Sequence, residues 1–431
     1  MVKHIMPKDS RIVIVGAGVF GLSTAVELTR KGYNNITVVD RHVPPVPDGS
    51  SVDISRVIRF DYRDPVYAKL AKEAFHVWND NPKFRGIFYH GPNAFIASKA
   101  YGRTHLSKCT DALDGLNHPW EPLPDQKAIK AEFPILYGDT DQSQLSGYCN
   151  RSSGWADALK AITVLRNECI EGGVSFICGE QGTVTAFKED RITSRIIAAQ
   201  TESGYELQGD YFILSAGAWS TRLTPMYNST ISTAQVLAFI NLSDDEMRAY
   251  KDLPLYIDYD SGWFCFPPHP EARVLKIAVH GWGYTRTADQ NGLSIPPTKA
   301  RSKRTNFAPA DGLARLRAGL AAILPSLAER KFDRVAVCWY NDTPSGDFII
   351  DYHPDHSNLF LATAGSGHGF KFLPVLGKFV VQAFERTLPL ELVHKWRFRM
   401  EYTDREDTFH GDGSRGGPAR REFTPQEKSL L

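Results

Sequence analysis

Strand and helix patterns follow each other closely at the start of the chain. RIVIVG (11–16) is an aliphatic run rich in β-branched residues, typical of a buried parallel strand. VFGLSTAVELTRKG (19–32) has helical spacing and ends in Gly32, a common helix stop. NITVVD (35–40) predicts the next strand. These three segments therefore predict one βαβ unit.

The remaining chain shows two further patterns. Between 151 and 217, GWADALKAITVLRNECIEGG predicts a helix, and VSFICG, GTVTAFKE, RIIAAQT and YFILSAG predict strands. Between 225 and 330, short strands rich in aromatic residues (VLAFINL, LYIDYD, GWFCFPP, LKIAVHGW) favour an antiparallel sheet, with a helix over 312–327. KFDRVAVCWYNDTPSGDFIIDYHP (331–354) predicts a strand, a turn and a second strand, and 358–387 predicts a strand, a Gly-rich turn and a helix.

These elements predict an α/β protein of two domains. A Rossmann-like dinucleotide-binding domain is assembled from separated pieces, and an antiparallel-sheet α+β domain is built over it. The length of 431 residues also favours two domains over one core. The expected division is 1–78, 151–224 and 331–395 for the dinucleotide domain, 79–150 and 225–330 for the second domain, and 396–431 for an irregular tail.

The composition argues against several partner classes. A formal net charge of +1 provides no field to attract nucleic acid or an anionic membrane, and no apolar run approaches the ~18 residues of a membrane span. The six cysteines are scattered, without the spacing of a disulfide framework or a metal site. The N-terminus lacks an apolar signal core, so we expect a cytoplasmic protein. The ending Ser-Leu-Leu differs from the peroxisomal address Ser-Lys-Leu but leaves that location open.

A G-x-G-x-x-G motif joins the first strand to its helix. Gly16, Gly18 and Gly21 allow a tight turn and the approach of a pyrophosphate to the helix N-terminus. Asp40 ends the next strand, where a carboxylate accepts ribose hydroxyls and disfavours a 2′-phosphate. The context predicts a bound dinucleotide, but the motif alone does not separate FAD from NAD. The alternative is a glycine-rich turn in another α/β protein, with Asp40 as an ordinary turn residue.

Four stretches of the chain carry a family pattern: VGAGVFGLSTAVELTRKG, GSSVDISRVIRFDY, CWYNDTPSGDFIIDYHP and GSGHGFKFLPVLG. Through them, from about residue 10 to 390, the chain resembles the FAD-dependent amine oxidases. That family includes monomeric sarcosine oxidase, pipecolate oxidase, saccharopine oxidase and the fungal fructosyl amino acid oxidases (amadoriases). The resemblance implies that the dinucleotide is FAD and that the antiparallel domain lies above the flavin.

The resemblance also gives Cys338 a role. It corresponds to the family cysteine that is joined through sulfur to the 8α-methyl group of the flavin. A thiol in a strand at the domain boundary can face the ring edge while its neighbours face the core. The alternative is a buried structural cysteine, which is the common role of a free cysteine. The other five cysteines keep that structural interpretation.

SRVIR (55–59) places Arg56 and Arg59 in an aliphatic segment, where two guanidinium groups need partners. Arginine binds carboxylates well because its planar fork is bidentate. The resemblance implies that Arg59 binds the substrate carboxylate and that Arg56 lies near the flavin. The alternative is a surface Arg59 paired with Asp61 or Asp64.

Lys371 follows a Gly-rich turn at the start of a predicted helix, where the helix dipole disfavours a cation. A lysine at this point is therefore expected to bind an anion. The resemblance makes it the second ligand of the substrate carboxylate. It also implies that Gly367 and Gly369 let the backbone approach the flavin, while His368 either contacts the flavin or only completes the turn.

Lys276 alternates with apolar residues in VLKIAVHGW, and a lysine in such a strand is usually exposed. The resemblance implies a different role. It corresponds to the lysine over flavin N5 that promotes the reaction with O₂, because a fixed cation stabilises the charge that develops there.

We expect an FAD-dependent oxidase acting on a secondary-amine L-amino acid of the sarcosine, pipecolate or saccharopine type. It would oxidise the C–N bond to an imine and reduce O₂ to H₂O₂, as a monomer without a metal. Phe266 falls where amadoriases carry a glutamate for the sugar hydroxyls, which favours an apolar N-substituent. The alternatives are a fructosyl amino acid oxidase and a secondary-metabolite amine oxidase of the same family. Outside it, an NAD-linked dehydrogenase or an inactive flavin-binding protein stays open.

Overall fold

The computed structural model describes residues 6–138, 144–288, 292–298, 306–400 and 413–431. The strands are β1 (Ile12–Val15), β2 (Ile36–Asp40), β3 (Arg56–Ile58), β4 (Phe88–His90), β5 (Asn93–Ala97), β6 (Glu121–Leu123), β7 (Ser146–Asn150), β8 (Gly154–Ala156), β9 (Ser175–Cys178), β10 (Val184–Asp190), β11 (Arg195–Thr201), β12 (Glu206–Gln208), β13 (Tyr211–Leu214), β14 (Ile231–Asn241), β15 (Leu255–Asp258), β16 (Trp263–Cys265), β17 (Val274–Val279), β18 (Tyr284–Thr285), β19 (Thr287–Ala288), β20 (Leu293–Ser294), β21 (Arg334–Asp342), β22 (Ile349–Tyr352), β23 (Leu359–Thr363) and β24 (Arg421–Glu422). The helices are α1 (Val19–Arg30), α2 (Pro65–Asp80), α3 (Ala100–Gly115), α4 (Gln126–Glu132), α5 (Ala158–Glu171), α6 (Ser220–Leu223), α7 (Asp244–Ala249), α8 (Ala310–Ile323), α9 (Leu373–Phe384), α10 (Leu390–Trp396) and α11 (Pro425–Lys428). Short 3-10 turns span Pro82–Phe84, Gly179–Gln181, Gly217–Trp219, Pro325–Leu327 and Gly369–Phe372.

The first sheet has the strand order β22-β23-β13-β1-β2-β9 and is parallel except for β22. Alternate residues of β1 enter two hydrophobic clusters. Ile12 and Ile14 pack with residues of helices α1, α5 and α9, whereas Val13 and Val15 pack with residues of β11 and β12. Both faces of β1 are therefore covered, which explains its uninterrupted apolar run. The predicted βαβ unit is confirmed.

The second sheet contains ten strands among the described residues. Its continuous order is β24-β18-β14-β17-β16-β15-β5-β7-β6, and β21 also pairs with β14. Most pairs are antiparallel, as the aromatic-rich strands predict, while β15–β5 and β18–β24 are parallel. The 11-residue strand β14 pairs with β21 along one edge and with β17 and β18 along the other.

The strand that carries Cys338 belongs to the second sheet, which corrects the predicted boundary at residue 331. β21 pairs antiparallel with β14 from Ile231↔Asp342 to Phe239↔Arg334. The next strand, β22, pairs with β23 of the first sheet. The predicted strand, turn and strand are present, but the segment crosses from one sheet to the other. The misassignment has a physical reason, since the sheet that a strand joins depends on a partner strand distant in sequence.

The described part of the tail, 413–431, contains one short strand and one short helix and is otherwise irregular. β24 pairs with β18, and Thr424 caps α11 through a reciprocal capping box with Glu427. Arg421 forms ion pairs with Asp311 and Glu427. The charges that suggested a solvated tail are therefore partly used in fixed pairs.

Two helix predictions also need correction. Gly154–Ala156 is a strand, and the helix begins only after Asp157, whose carboxylate accepts the Lys160 N–H. The helix predicted over 312–327 ends at Ile323. Within the described ranges, no helix combines the length and apolar character that crossing a membrane requires.

Candidate active site

A cavity lies between the two sheets. It is bordered by the loop after β1, by the segment from Gly49 to Val57, by strands β14, β17 and β21, and by the Gly-rich turn after β23. The predicted site residues that line it are Gly16, Gly18, Asp40, Arg56, Lys276, Cys338, Gly367, His368, Gly369 and Lys371. Gly21 and Arg59 are not among its lining residues.

At two of the three glycines of the motif, neighbouring backbone leaves no room for a side chain. Gly16 has a φ of +113°, and a Cβ atom there would lie 2.4 Å from the carbonyl oxygen of Ser215. A Cβ on Gly21 would lie 1.9 Å from the carbonyl oxygen of Gly16. The strand-to-helix turn is therefore as narrow as a pyrophosphate cradle requires.

Asp40 lies where the main cavity meets a second one. Its Oδ2 accepts the Ala17 N–H at 2.7 Å, and burial raises the pKa of the carboxyl. The second cavity is bordered by Asp40, by 182–185 and by Trp219, whose ring lies 4.4 Å from the Arg41 guanidinium carbon. Two adjoining cavities with a carboxylate between them fit the extended, two-part shape of a dinucleotide.

Cys338 borders the cavity from β21. Its side chain is half-buried, whereas Val337 and Trp339 on either side are buried in the core of the second domain. Because strand residues alternate, Cys338 and Tyr340 point to the same face, and both line the cavity. The Cys338 Sγ lies 3.7 Å from Nη2 of Arg56. The residue thus borders the cavity and also packs against a small hydrophobic cluster.

Lys276 is buried, with 2% of the residue exposed, so the usual exposed position is wrong for it. Its Nζ donates to the carbonyl oxygen of Ser55 at 2.8 Å and pairs with Oδ2 of Asp53 at 2.8 Å. It also lies 4.6 Å from the ring centre of Phe266. Burial lowers the pKa of Lys276 to about 8, although the Asp53 carboxylate acts in the opposite direction.

The Gly-rich turn packs tightly on aromatic rings. Gly367 has a φ of +76°, and a Cβ there would lie 2.5 Å from Tyr340 Cε2. A Cβ on Gly369 would lie 3.0 Å from Phe20 Cε2. Glycine therefore brings the backbone of this turn to the cavity wall between two rings.

A chain of hydrogen bonds connects Lys371 to this turn through Tyr62. Lys371 Nζ donates to the Tyr62 hydroxyl and to the His368 carbonyl oxygen, each at 3.0 Å. His368 Nε2 donates to the carbonyl oxygen of Gly346 at 2.8 Å, and Nδ1 lies within hydrogen-bond distance of the Tyr62 hydroxyl, at 2.9 Å. Tyr62 thus holds both the lysine and the histidine in place.

Arg59 is buried, with 9% of the residue exposed, and is not the surface residue of the alternative interpretation. Its guanidinium carbon lies 5.1 Å from the ring centre of Tyr62, and Nη1 has no hydrogen-bond partner in the described structure. Asp61 accepts hydrogen bonds from Asn150 and interacts electrostatically with Arg59, and Asp64 caps α2. An unpaired buried guanidinium nitrogen is a donor suited to a carboxylate.

Two site residues, Asp53 and Tyr62, are absent from the sequence prediction. Both lie in GSSVDISRVIRFDY, where the arginines attract attention because of their charge. The sequence offers only their positions as signals for them: Asp53 lies three residues before Arg56, and Tyr62 lies three residues after Arg59. Neither signal indicates the lysine that each residue binds.

The cradle and its adjoining cavities are those of a dinucleotide-binding protein. Over residues 11–383 the sequence matches the FAD dependent oxidoreductase family, and the chain belongs to that family. This decides between FAD and NAD, which the glycine motif left open. It also confirms the α/β fold class and the enzymatic character expected from the sequence.

Similar proteins narrow the type of enzyme. L-saccharopine oxidase of Schizosaccharomyces pombe is 30% identical over 90% of this chain and 93% of its own length. Monomeric sarcosine oxidase of Bacillus sp. is 26% identical over 86% of this chain and 91% of its own length. The crystal structure of the deglycating enzyme fructosamine oxidase (Amadoriase II) of Aspergillus fumigatus, in complex with FSA, is 29% identical. The structural match covers 97% of this chain and 96% of the chain in that crystal structure, with a TM-score of 0.87.

Proposed function

We propose that this protein is an FAD-dependent oxidase that converts the secondary amine of an L-amino acid to an imine and reduces O₂ to H₂O₂. The observation that carries the proposal is that Lys276, Cys338 and Lys371 border the same cavity as the glycine loop at Gly16. FAD, when bound, accepts the hydride equivalent and passes the electrons to O₂. The protein positions the substrate and supplies fixed charges.

Lys371 and Arg59 are proposed to bind the substrate carboxylate. Both cations lie about 5 Å from the ring centre of Tyr62, at 5.2 Å for Lys371 Nζ and 5.1 Å for the guanidinium carbon of Arg59. Lys371 lines the cavity, whereas Arg59 lies next to Tyr62 and is not among the lining residues. Two cations next to the same tyrosine would orient an amino acid and select it over a simple amine.

Lys276 is proposed to serve the reaction with O₂. It is a buried cation on the cavity wall, held by Asp53 and the Ser55 carbonyl. A charge fixed in a low-dielectric site stabilises developing negative charge without reorganisation during the reaction. Lysine is suited to this because its ammonium is a compact point charge.

The cofactor contacts are part of the same proposal. Cys338 would hold FAD through a thioether, with Arg56 beside its sulfur. The Gly16–Gly21 loop and Asp40 would bind the pyrophosphate and ribose, as their position between the two cavities supports. The turn residues would contact the flavin with their backbone, and His368, held by Gly346 and Tyr62, would complete the turn.

We also propose the discontinuous division into two domains. The first sheet draws its strands from the segments 1–78, 151–224 and 343–395 and would bind FAD. The second sheet draws on 79–150 and 225–342, with β24 added from the tail, and would cover the substrate. The proposal places the boundary after β21 rather than before it, because β21 pairs with β14. We expect the protein to act as a monomer.

The substrate type has a favoured answer and a second candidate. Phe266 lines the cavity next to Lys276, and an apolar ring there favours sarcosine, pipecolate or saccharopine type substrates over a polyol. The structural similarity to Amadoriase II, at a TM-score of 0.87, favours a fructosyl amino acid as the second candidate.

One substrate panel tests both candidates. Purified protein is incubated in air with sarcosine, L-pipecolate, L-saccharopine and fructosyl-valine, and peroxide release is measured for each. We expect a yellow protein that reacts with at least one of the first three. Reaction with fructosyl-valine alone would establish the second candidate. A protein that binds flavin but is not reduced by any of the four under anaerobic conditions would refute the proposed function.

A further inference from the structure

The loop between β2 and β3 carries a buried carboxylate for which the proposed reaction has no direct use. The Asp53 side chain is 6% exposed, and Asp53 is not among the residues that line either cavity described above. Burying a carboxylate is costly unless cations and donors surround it. Its contacts therefore indicate what it serves.

The two oxygens of Asp53 have different partners. Oδ1 accepts the N–H of Ile54 at 2.8 Å, which fixes the orientation of the carboxylate. Oδ2 lies 2.8 Å from Lys276 Nζ and 2.5 Å from Arg56 Nη1. One oxygen is thus shared by two cations from different parts of the fold, since Lys276 lies on β17 of the second sheet and Arg56 on β3.

We propose that Asp53 is a positioning residue that keeps the Lys276 side chain in its charged form at the cavity wall. The inference rests on the proposed oxidase function, in which Lys276 acts on the reaction with O₂. The carboxylate would act only through the lysine, because its own atoms do not reach the cavity.

The surroundings of Lys276 explain why it needs such support. The ionisable groups that face it are Asp53, Arg56 and Cys338, and the Phe266 ring covers it from β16's end. Burial and the Arg56 cation both favour the neutral amine, whereas Asp53 is the fixed anion that opposes them.

The expected consequence is a pH dependence set by Lys276. With a pKa of about 8, the lysine is mostly charged at pH 7 and loses its charge as the pH rises through 8. An opposite charge at this distance shifts a titration by about one to three pH units, so Asp53→Asn should lower the midpoint by about that amount. A midpoint one unit lower reduces the charged fraction at pH 8 by about fivefold.

The test measures the protonation of Lys276 directly. The purified flavoprotein is labelled with lysine carrying ¹³C at Cε, and the Lys276 signal is assigned by its loss in Lys276→Met. We expect it to titrate near pH 8 in the native protein and at least one unit lower in Asp53→Asn. An unchanged midpoint in Asp53→Asn would overturn the proposal. Asp245→Asn, which removes an exposed partner of Arg248, is the matched control and should leave the midpoint in place.

Reoxidation kinetics separate this inference from the proposed function. The rate of reoxidation by O₂ should decline as the pH rises and Lys276 loses its charge. In Asp53→Asn the midpoint of this decline should lie at a lower pH than in the native protein, by the same amount as the Lys276 titration. If Lys276→Met reoxidises as fast as the native protein, the proposed role of Lys276 in the O₂ reaction fails. The titration still decides the role of Asp53 in that case.

A second variant covers a folding failure. If Asp53→Asn does not accumulate as a flavoprotein, the double variant Asp53→Asn/Lys276→Met should recover, since it removes the lysine charge that the carboxylate compensates. Recovery supports the proposal. Failure of both variants would assign Asp53 to Arg56 alone and would overturn it.

Discussion

Replacing Lys371 by methionine tests the proposed carboxylate site most directly. The substitution keeps an unbranched apolar side chain but removes a buried ammonium that lines the cavity and binds Tyr62 and His368. Removing one partner of a buried charged pair costs about 2–5 kcal/mol. We expect the lower half of this range, about 2–3 kcal/mol, because Arg59 is a second cation for the same carboxylate. That loss corresponds to a decrease of about 30- to 150-fold in kcat/KM.

The assay compares an amino acid with the amine that lacks its carboxylate, for example L-pipecolate with piperidine or sarcosine with dimethylamine. Peroxide release gives kcat/KM for each member of a pair. The native protein should prefer the amino acid strongly, and Lys371→Met should lose most of that preference while its activity on the amine changes little. Lys378→Met is the control, because Lys378 lies on α9 with its ammonium paired to Glu73 at the surface. An equal loss on both members of a pair would show a general structural effect and refute the carboxylate role.

Three further substitutions test the rest of the site. In Cys338→Ala, acid precipitation should release the flavin into the supernatant, whereas the native protein should keep it in the pellet; free flavin from the native protein would refute the thioether. Tyr62→Phe removes the hydroxyl that accepts from Lys371, a charged hydrogen bond worth about 1.5–3 kcal/mol, so kcat/KM for the amino acid should fall by about 10- to 150-fold. A change of less than about twofold would show that the hydroxyl is not needed. Gly21→Ala places a methyl group 1.9 Å from a backbone oxygen. It should lower the free energy of unfolding by about 1–3 kcal/mol or more, and it should also lower the flavin content. Gly115→Ala meets no atom within 4 Å and should melt like the native protein, and equal melting of both variants would contradict the narrow cradle.

Local patterns were sufficient to predict the dinucleotide half of the fold. In RIVIVG (11–16) both faces of the strand are covered by neighbouring elements, and the run of apolar residues records that burial directly. The glycine motif lies within a single βαβ unit, so its function depends on a short stretch of chain. The sheet of β21 was not predictable in this way. Its pairing with β14 is set by residues about 100 positions earlier in the chain.

The same distinction applies to the active site. The alternation in VLKIAVHGW predicts an exposed Lys276, but the residue is buried. The local pattern could not show this, because the charge of Lys276 is compensated by Asp53 from another part of the fold. Resemblance to a family placed the lysine at the site, but not its partner. Arg59 was expected to bind the substrate carboxylate, but it lies next to Tyr62 and is not among the residues that line the cavity, a distinction that depends on side-chain placement rather than on residue type.

The order of the strands in the first sheet also determines how long the growing chain is exposed during synthesis. β1 pairs with β2 at once, but its other neighbour, β13, follows about 200 residues later. At about 5–20 residues per second, the ribosome needs roughly 10–40 s to deliver it. Throughout that interval one edge of a purely aliphatic strand presents unpaired N–H and C=O groups, which invites association with other nascent chains. A lower growth temperature or additional chaperones should therefore raise the yield of folded protein. A fragment that ends before β13 should aggregate.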